Sequence, residues 1–350
     1  MSVLELKHSQ LEAVAKHRDY LRESPHLRWL FFEVTDRCNL ECRHCGSSCS
    51  ARGQDLTVSD IDRTLRSIKK DKPMICITGG EPMLHPEIFD IAETVKSMGF
   101  QWGMTTNATL IDDEAALKLK AAGMSTVSVS LDGMESSHDD LRQRKGAWQL
   151  ALRGIRALQN AGFQPQVTTV LHKGNFGELE PLYEQLCKMG IKSWRPINAE
   201  PIGRACESGD MLLSREQFAD LLEYIRAKRF DPECKMEVTF GCSHYLGVEY
   251  ERMVRDHYFL CGAGILTASV RSNGDICACL DVENRPELVQ GNIRTDDFME
   301  VWNSDFKAFR RDRTEDCSAC LECKERFICG GDSTHTWDFD NNKPLLCYKD

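Results

Sequence analysis

The sequence predicts an α/β fold in which a partial (β/α)6 barrel is followed by a small cysteine-rich module. Apolar strand-like runs alternate with helical segments between residues 28 and 205, which is typical of a parallel sheet covered by helices. Beyond Cys261 the pattern changes to short strands, a turn at residues 273–275 and closely spaced cysteines. The two patterns indicate two structural units.

Six strand-like runs and the helices between them define the predicted barrel. The strands are LRWLFFEV, MICIT, WGMTT, VSVSL, QVTTVL and KSWRPIN. The helices cover residues 59–70, 87–98, 113–122 and 147–161, where apolar residues recur at about the helical period. Because ligands of such folds bind at the C-terminal ends of the strands, the residues that follow each strand are the first candidates for a site.

Two further helices are predicted outside the barrel. A leader helix over residues 3–21 is expected to pack against the main domain through Val3, Leu4, Leu6, Leu11, Val14 and Ala15. A helix over residues 214–228 is expected to bridge to the C-terminal module. The predicted domains are a leader at 1–27, a core domain at 28–205, a bridging helical segment at 206–250 and the cysteine-rich domain at 251–350.

The composition narrows the class of protein. With 41% hydrophobic and 28% charged residues the chain is expected to fold around a core, and its formal charge of -10 disfavours nucleic acid and anionic membranes as partners. No run approaches the roughly 20 apolar residues of a membrane-spanning helix, and the N-terminus lacks a signal-peptide pattern, so a cytoplasmic location is expected. Seventeen cysteines in such a chain indicate metal or redox chemistry rather than disulfides.

The loop after the first strand carries Cys38, Cys42 and Cys45 in a CxxxCxxC spacing. Three thiolates can bind three irons of a 4Fe-4S cluster and leave the fourth iron open to a chelating ligand. The alternative is a zinc site with Cys49 as its fourth thiolate, but structural zinc usually has four closed ligands in two pairs. The spacing therefore favours an iron-sulfur cluster.

This motif resembles that of the radical S-adenosylmethionine (radical SAM) superfamily, in which an aromatic residue commonly precedes the last cysteine. His44 occupies that position here, which keeps a ring but alters stacking near the cofactor. The resemblance implies that the open iron binds the amino and carboxylate groups of S-adenosylmethionine. One electron then splits the sulfonium into methionine and a 5'-deoxyadenosyl radical, chemistry that the cofactor supplies while the protein orients it.

Polar motifs follow the second, third and fourth strands, and an apolar one follows the last. By the same resemblance they are cofactor contacts, at Gly79, Gly80, Glu81, Asn107, Ser130, Asp132, Arg142 and Ile202. In the Gly-Gly-Glu run the glycines let the backbone approach a ligand, and the carboxylate can accept hydrogen bonds from an ammonium group. Hydroxyl, amide and carboxylate groups suit a ribose diol, and an arginine suits a carboxylate. The structural alternatives are a plain turn, helix N-capping and ordinary core packing.

The C-terminal cysteines resemble the SPASM module, which typically binds two auxiliary 4Fe-4S clusters. The resemblance rests on CGAG followed by NGDICAC, and on CLECKERFICGGD. It implies metal ligands at Cys261, Cys279, Cys317, Cys320, Cys323, Cys329 and Cys347. Ser333 stands where the pattern expects a further cysteine, with Asp332 beside it. Zinc is the alternative, because two residues separate Cys317 from Cys320 and Cys320 from Cys323, which is a zinc-site spacing.

The resemblance suggests a division of these ligands between two clusters. One set is Cys320, Cys323, Cys329 and Cys347, and the other is Cys261 and Cys279 with Cys317 or Cys277. At the position left by Ser333, the alternatives are Cys317 or Cys277 as substitute ligand, an oxygen ligand, or an open iron. Asp281, two residues after Cys279, is a candidate catalytic acid or base, and His335 and Trp337 lie close to cluster ligands in the sequence.

These motifs together predict a radical SAM enzyme of the peptide or protein maturase type. Its substrate would be a ribosomally made peptide or protein that is crosslinked, epimerised or oxidised, with flavodoxin or ferredoxin as electron donor. Few residues precede the first strand, so recognition of a leader peptide would use the barrel or a separate protein. The alternatives are a radical SAM enzyme for a small molecule, and a non-catalytic iron-sulfur or zinc scaffold, which would need no nucleoside site.

Overall fold

Six parallel strands form the partial barrel, as the sequence predicts. The computed structural model describes residues 3–47, 55–206, 211–241 and 244–347. Each strand pairs in parallel with the next one along the chain. They are β1 (Trp29–Glu33), β2 (Met74–Thr78), β3 (Trp102–Thr106), β4 (Thr126–Ser130), β5 (Gln166–Leu171) and β6 (Ser193–Asn198). Consecutive pairing brings all their C-terminal ends to one edge.

Helices precede, connect and follow these strands. They are α1 (Val3–Glu23), α2 (Val58–Ser67), α3 (Ile88–Ser97), α4 (Asp113–Ala121), α5 (Glu135–Arg142), α6 (Ala147–Asn160), α7 (Leu179–Lys188) and α8 (Arg215–Phe230). The predicted helices are confirmed within three residues at each end. The start of α2 is set by a capping box, in which Thr57 Oγ1 accepts from Asp60 N and Asp60 accepts from Thr57 N, each at 3.1 Å.

Side chains of the strands alternate between an outer core and the barrel interior. On β5 the buried residues are Val167, Thr169 and Leu171, and the residues between them are half-buried. Trp194 of β6 lies on the same outer face, since its Nε1 donates to Thr169 Oγ1 at 2.9 Å. Successive residues of a strand point to opposite faces, so the half-buried set lines the interior.

The cysteine-rich module is continuous with the barrel sheet. Among the described residues β7 (Glu237–Val238) extends the sheet beyond β6, and β8 (Thr267–Val270) pairs in parallel with β1. The strands β9 (Asp275–Cys277) and β10 (Gly291–Asn292) then add in antiparallel. The rest of the module comprises α9 (Phe298–Ser304), α10 (Lys307–Arg310), α11 (Ser318–Leu321), α12 (Arg326–Cys329), β11 (Trp337–Asp338) and β12 (Lys343–Pro344). The expected separate module is thus an extension of one sheet.

The leader helix forms, but it packs elsewhere than predicted. Leu11 of α1 is buried in a cluster with Tyr245, Phe259 and Ile328, which belong to the C-terminal part of the chain. Arg18 reinforces this contact by donating from Nη1 to Ile328 O at 2.9 Å. The first apolar residues of the predicted face are exposed, at 74% for Val3, 51% for Leu4 and 45% for Leu6. None of the helices in the described part of the chain is both long and apolar enough to span a bilayer.

Candidate active site

The three cysteines of the CxxxCxxC motif lie on the loop that follows β1, at the C-terminal edge of the barrel. Cys42 is buried against Leu40 and Ala147, and the half-buried Cys38 and Cys45 pack against the same apolar patch. The three cysteines thus share one apolar patch at an open sheet edge, and their role as cluster ligands stays a prediction. Cys49, the alternative fourth thiolate, lies outside the described residues.

The Gly-Gly-Glu turn after β2 fastens the start of this loop. Gly80 N donates to Thr35 O and Glu81 N donates to Arg37 O, both at 2.8 Å. A Cβ on Gly79 would lie 2.6 Å from Thr35 O, and one on Gly80 would overlap Arg37 O more closely still. Both glycines are therefore needed where two backbones meet, which is a structural role in addition to the predicted cofactor contact.

Glu81 is buried and ties the turn to the end of β3. Its carboxylate accepts from Thr106 Oγ1 at 2.7 Å, from Asn107 N at 2.8 Å and from Met83 N at 3.2 Å. Burial raises the pKa of Glu81 above its ordinary value, although these three donors oppose the shift. The donors hold the carboxylate in one orientation at the C-terminal edge, beside the loop to which the cysteines belong.

Asn107 joins the cysteine loop through a side-chain network. Its Nδ2 donates to Asn39 Oδ1 at 2.9 Å, and its Oδ1 accepts from Thr109 Oγ1 at 2.7 Å. Asn39 Nδ2 donates to Thr109 Oγ1 at 2.8 Å and closes the triangle. Asn39 stands next to Cys38 in the sequence, so the predicted cofactor residue Asn107 also orients the loop.

Asp132 and Arg142 form a buried ion pair behind the cluster loop. Arg142 Nη2 lies 2.5 Å from Asp132 Oδ2, and Arg142 Nη1 donates to Cys42 Sγ at 3.4 Å. Burial by itself would lower the pKa of Arg142, but the Asp132 carboxylate and the Cys42 sulfur raise it above its ordinary value. The guanidinium is thus a permanent cation beside a cysteine sulfur. The contacts predicted for both residues, to ribose and to a carboxylate, would require this pair to rearrange.

The remaining predicted cofactor residues border the same edge. Ser130 ends β4 on the interior face and is half-buried. Ile202 follows β6, and its Cδ1 lies 3.4 Å from the position that a Cβ on Gly46 would occupy. The segment 201–206 is bound to the loop, because Arg204 Nε donates to Cys42 O at 2.7 Å. The predicted cofactor contact Ile202 therefore lies against the cysteine loop.

Asp281, the candidate catalytic residue, lies between the two cysteine regions. One of its oxygens is 3.9 Å from Cys279 Sγ, and the other is 3.9 Å from the Cβ position of Gly46. Glu33 makes a second bridge, since its carboxylate accepts from Ser47 Oγ at 2.9 Å and from Ser272 N at 3.3 Å. The module thus reaches the cluster loop through carboxylates.

Two family models match this chain and identify its family. A model described as the Radical SAM superfamily matches residues 32–186, and one described as an iron-sulfur cluster-binding domain, SPASM, matches residues 261–324. This chain belongs to the radical SAM superfamily. The predicted family, fold class and cofactors, 4Fe-4S clusters and S-adenosylmethionine, are confirmed, and the iron-sulfur description favours clusters over zinc.

Relatives of this radical SAM enzyme include a heme synthase and a mycofactocin maturase. An AdoMet-dependent heme synthase of Methanosarcina barkeri is 29% identical, with 92% of this chain and 97% of that protein covered. The mycofactocin maturase MftC of Mycolicibacterium smegmatis is 27% identical, with 86% of this chain and 76% of that protein covered. The solved structure of native anSMEcpe with bound AdoMet has a TM-score of 0.72 at 18% identity, covering 92% and 94% of the two chains, and shows the shared fold.

Buried polar atoms around the cysteine loop fit the radical SAM cofactor. His44 Nδ1, His172 Nε2 and Arg204 Nη2 are buried without a hydrogen-bond partner in the described part of the chain. Buried polar atoms normally have partners, so a polar ligand is expected here. Burial lowers the pKa of His44 to about 4, and the imidazole that replaces the usual aromatic residue is therefore neutral. When bound, the cluster and S-adenosylmethionine supply a 5'-deoxyadenosyl radical.

The auxiliary cysteines of the radical SAM enzyme fall into two neighbourhoods. Burial raises the pKa of Cys320 to about 12, and the nearby thiols of Cys317, Cys347 and Cys323 add to the rise. Cys317 Sγ also accepts from Cys320 N at 3.4 Å. The structure therefore groups Cys317 with Cys320 rather than with Cys261, one of the two places suggested for it.

The other neighbourhood contains Cys261 and Cys279. Burial raises the pKa of Cys279 well above its ordinary value, and Asp281, Cys261 and Cys277 are its titratable neighbours. Cys277 is thus the remaining thiol beside this pair. Cys329 lies near Cys347, as the predicted division has it, and burial raises its pKa to about 12. The division of ligands stays a prediction.

A buried network of acids and histidines links the barrel to the module. The sequence analysis does not predict this network. Glu200, just beyond β6, lies 3.0 Å from His244 Nε2 and 2.8 Å from His335 Nε2. His244 Nδ1 lies 2.9 Å from Asp332, whose other oxygen accepts from Tyr245 N at 2.8 Å. The signal for Glu200 was available, because it follows a strand end as the other site residues do.

Proposed function

We propose that this radical SAM enzyme oxidises an iron tetrapyrrole that carries propionate side chains. The observation that carries the proposal is the heme synthase alignment, which covers 92% of this chain and 97% of that relative. The peptide maturase alignment covers 76% of its relative. The heme synthase aligns over nearly its whole length, so we infer that the two proteins share a substrate class. This inference favours the small-molecule alternative over the predicted peptide.

The chemistry of the substrate class fits the proposal. Haem differs from Fe-coproporphyrin III in carrying vinyl groups in place of some propionates, so its formation needs loss of hydrogen and carbon dioxide from side chains. Abstraction of a hydrogen atom by a carbon radical can begin such a reaction. Residues of this chain would orient the partners: the Cys38, Cys42 and Cys45 loop would hold the cluster, and Arg142 would hold Cys42.

Asp281 is proposed as the acid or base of the reaction. It lies between the cluster loop and Cys279 and is exposed at this edge, where a substrate can reach it. The SPASM cysteines would hold clusters that accept the electron released when a radical closes to a double bond. Reduced flavodoxin or ferredoxin in the cytoplasm is proposed as the source of the electron that starts each turnover.

The test is a turnover assay under anaerobic conditions. Reconstituted protein would be incubated with dithionite, S-adenosylmethionine and Fe-coproporphyrin III, and the products separated by liquid chromatography with mass spectrometry. We expect 5'-deoxyadenosine together with a porphyrin that has lost propionate carboxyl groups. The C42A variant is the control and should form neither. Nucleoside without any change in the porphyrin would rule out this substrate class while leaving the radical chemistry intact.

A peptide substrate is the second candidate, and the maturase relative favours it. Crosslinked, epimerised or oxidised peptide would be the product. The same reconstituted protein would be incubated with a short Cys-, Ser- or Thr-rich peptide encoded beside its gene. Formation of 5'-deoxyadenosine that rises with this peptide, and not with the porphyrin, would favour the maturase function.

A further inference from the structure

Arg195 lies on the interior face of the barrel. Its neighbour Trp194 is buried in the outer core, so Arg195 points to the opposite face, where it is half-buried. In the sheet register Arg195 is opposite Thr168 of β5, and Thr168 is opposite Ser130 of β4. Arg195 therefore shares a row across the barrel wall with Ser130, a predicted cofactor contact.

The interior wall around Arg195 is polar but uncharged. Ser128 Oγ and Thr168 Oγ1 share a hydrogen bond of 2.9 Å across β4 and β5. Gln166 Nε2 donates to Ser193 Oγ at 3.0 Å across β5 and β6. These side chains satisfy one another, and the wall formed by these strands offers Arg195 no carboxylate.

Arg195 has no ionic partner among the described residues. Its Nε is buried without a hydrogen bond. Arg142 differs, because it pairs with Asp132, and Arg204 differs in that its Nε is satisfied by a hydrogen bond to Cys42 O. A partly buried guanidinium without a counter-ion is unfavourable, and the chain has 54 acidic residues that could have supplied one.

We propose that Arg195 binds a carboxylate of the substrate inside the barrel. A planar guanidinium presents parallel N–H donors that match a carboxylate, and desolvation strengthens such a pair. The inference rests on the proposed function, in which the substrate carries propionates. Because Ser130 lies in the same row, a carboxylate on Arg195 would place the neighbouring carbons of the substrate beside the predicted cofactor site.

The experiment compares R195Q with wild type in binding. Metal-free coproporphyrin III and its tetramethyl ester are titrated by porphyrin fluorescence, and S-adenosylmethionine by equilibrium dialysis, on anaerobically reconstituted protein. We expect R195Q to bind the free acid about 10- to 100-fold more weakly, the loss of a charge-assisted hydrogen bond. The ester should bind both proteins equally, and S-adenosylmethionine affinity should stay within about twofold. R195K should fall between, because an ammonium cannot pair in bidentate fashion.

Two controls separate binding from structure. R153Q makes the same charge change on an exposed position of α6 and should not alter free-acid binding. Without ligand, R195Q should melt at the wild-type temperature or above it, since it removes an uncompensated charge. A residue with a merely structural role would lower the melting temperature.

Three results would overturn the inference. Equal binding of the free acid by wild type and R195Q, with the ester discriminated, would refute the role of Arg195 and leave the proposed function standing. Loss of S-adenosylmethionine binding without loss of porphyrin binding would assign Arg195 to the cofactor instead. If wild type binds neither porphyrin, the proposed function itself fails, and the inference fails with it.

Discussion

The cysteine loop after β1 and the auxiliary cysteines of the C-terminal module are built in different ways. The loop is bound on several sides by regular elements, through backbone bonds to Gly80 and Glu81 and through Arg204. Among the auxiliary cysteines, Cys320 and Cys329 lie on the four-residue helices α11 and α12, and Cys323 lies on the turn between them. The site at the strand ends keeps all three cysteines of its motif, whereas the site on short turns has Ser333 where a cysteine is expected.

The turn after α12 shows how the module compensates for irregular backbone. Gly330, Gly331 and Asp332 all have positive φ, at 65°, 83° and 62°. This conformation is unfavourable for Asp332, which is not glycine. The Asp332 carboxylate is held by His244 and Tyr245 N. Tertiary hydrogen bonds therefore fix a turn that local sequence would not favour.

Removing one thiol from each region tests most directly whether the two cysteine regions have different functions. We expect C42A to abolish 5'-deoxyadenosine formation, because the first cluster would lose one of three thiolates. C323A should lose iron but still cleave S-adenosylmethionine without substrate conversion. Nucleoside yield by chromatography and iron content check both variants, with circular dichroism to verify folding. If C42A still produced the nucleoside, the assignment of the triad would be wrong.

The buried ion pair behind the loop should give the largest effect on stability. D132N leaves the Arg142 guanidinium without its counter-ion, which is expected to cost about 3–5 kcal/mol in the free energy of unfolding. Burial alone would raise the pKa of Asp132, but Arg142 lowers it below the ordinary 3.8. The contribution of the pair is therefore complete above about pH 3.8 and is lost as the pH falls further.

Urea unfolding of D132N and wild type at neutral and acidic pH measures this effect. The gap between the two proteins should narrow at the acidic end. The double variant D132N/R142M is the matched control, and it should be less destabilised than the sum of the two single variants. Additive losses would show that the pair is not coupled.

The backbone contact between the Gly-Gly-Glu turn and the loop gives the next effect. G80A forces a methyl group into Arg37 O, which no side-chain movement can relieve. We expect a loss of about 1–3 kcal/mol in unfolding free energy and a reduced iron content of the first cluster. G177A is the control, since a Cβ there would meet nothing within 4 Å. Equal stability of the two variants would argue against a need for glycine at the contact between Gly80 and Arg37 O.

The smallest effect is expected at the network between barrel and module. Burial by itself lowers the pKa of His335, but Glu200 raises it to about 10. The stabilisation is complete below the ordinary value of 6.5 and is lost as the pH rises through about 10. H335Q should cost about 1–3 kcal/mol at pH 6 and almost nothing above pH 10. Thermal melts across this range test it, and a pH-independent loss would contradict the charged pair.

The strand order of the barrel, the cysteine loop and the strand-end positions of most site residues could be predicted from sequence patterns. Apolar periodicity is a local property, and consecutive parallel strands bring their ends to one edge, so Glu81, Asn107 and Ser130 could be placed from short motifs. The exact role of each residue could not be predicted from these motifs. Asp132 was predicted to meet a ribose, yet it is paired with Arg142, which short motifs do not reveal.

Only the tertiary structure decided which distant residues meet. His335 and Glu200 are 135 positions apart, and Arg18 reaches across 310 positions to Ile328. The apolar face of α1 could have packed on either structural unit. In the structure Leu11 packs on the C-terminal part of the chain and not on the barrel. Whether a charge such as Arg195 finds a counter-ion likewise depends on what the whole fold brings within reach, because an ion pair is set by distance in space and not along the chain.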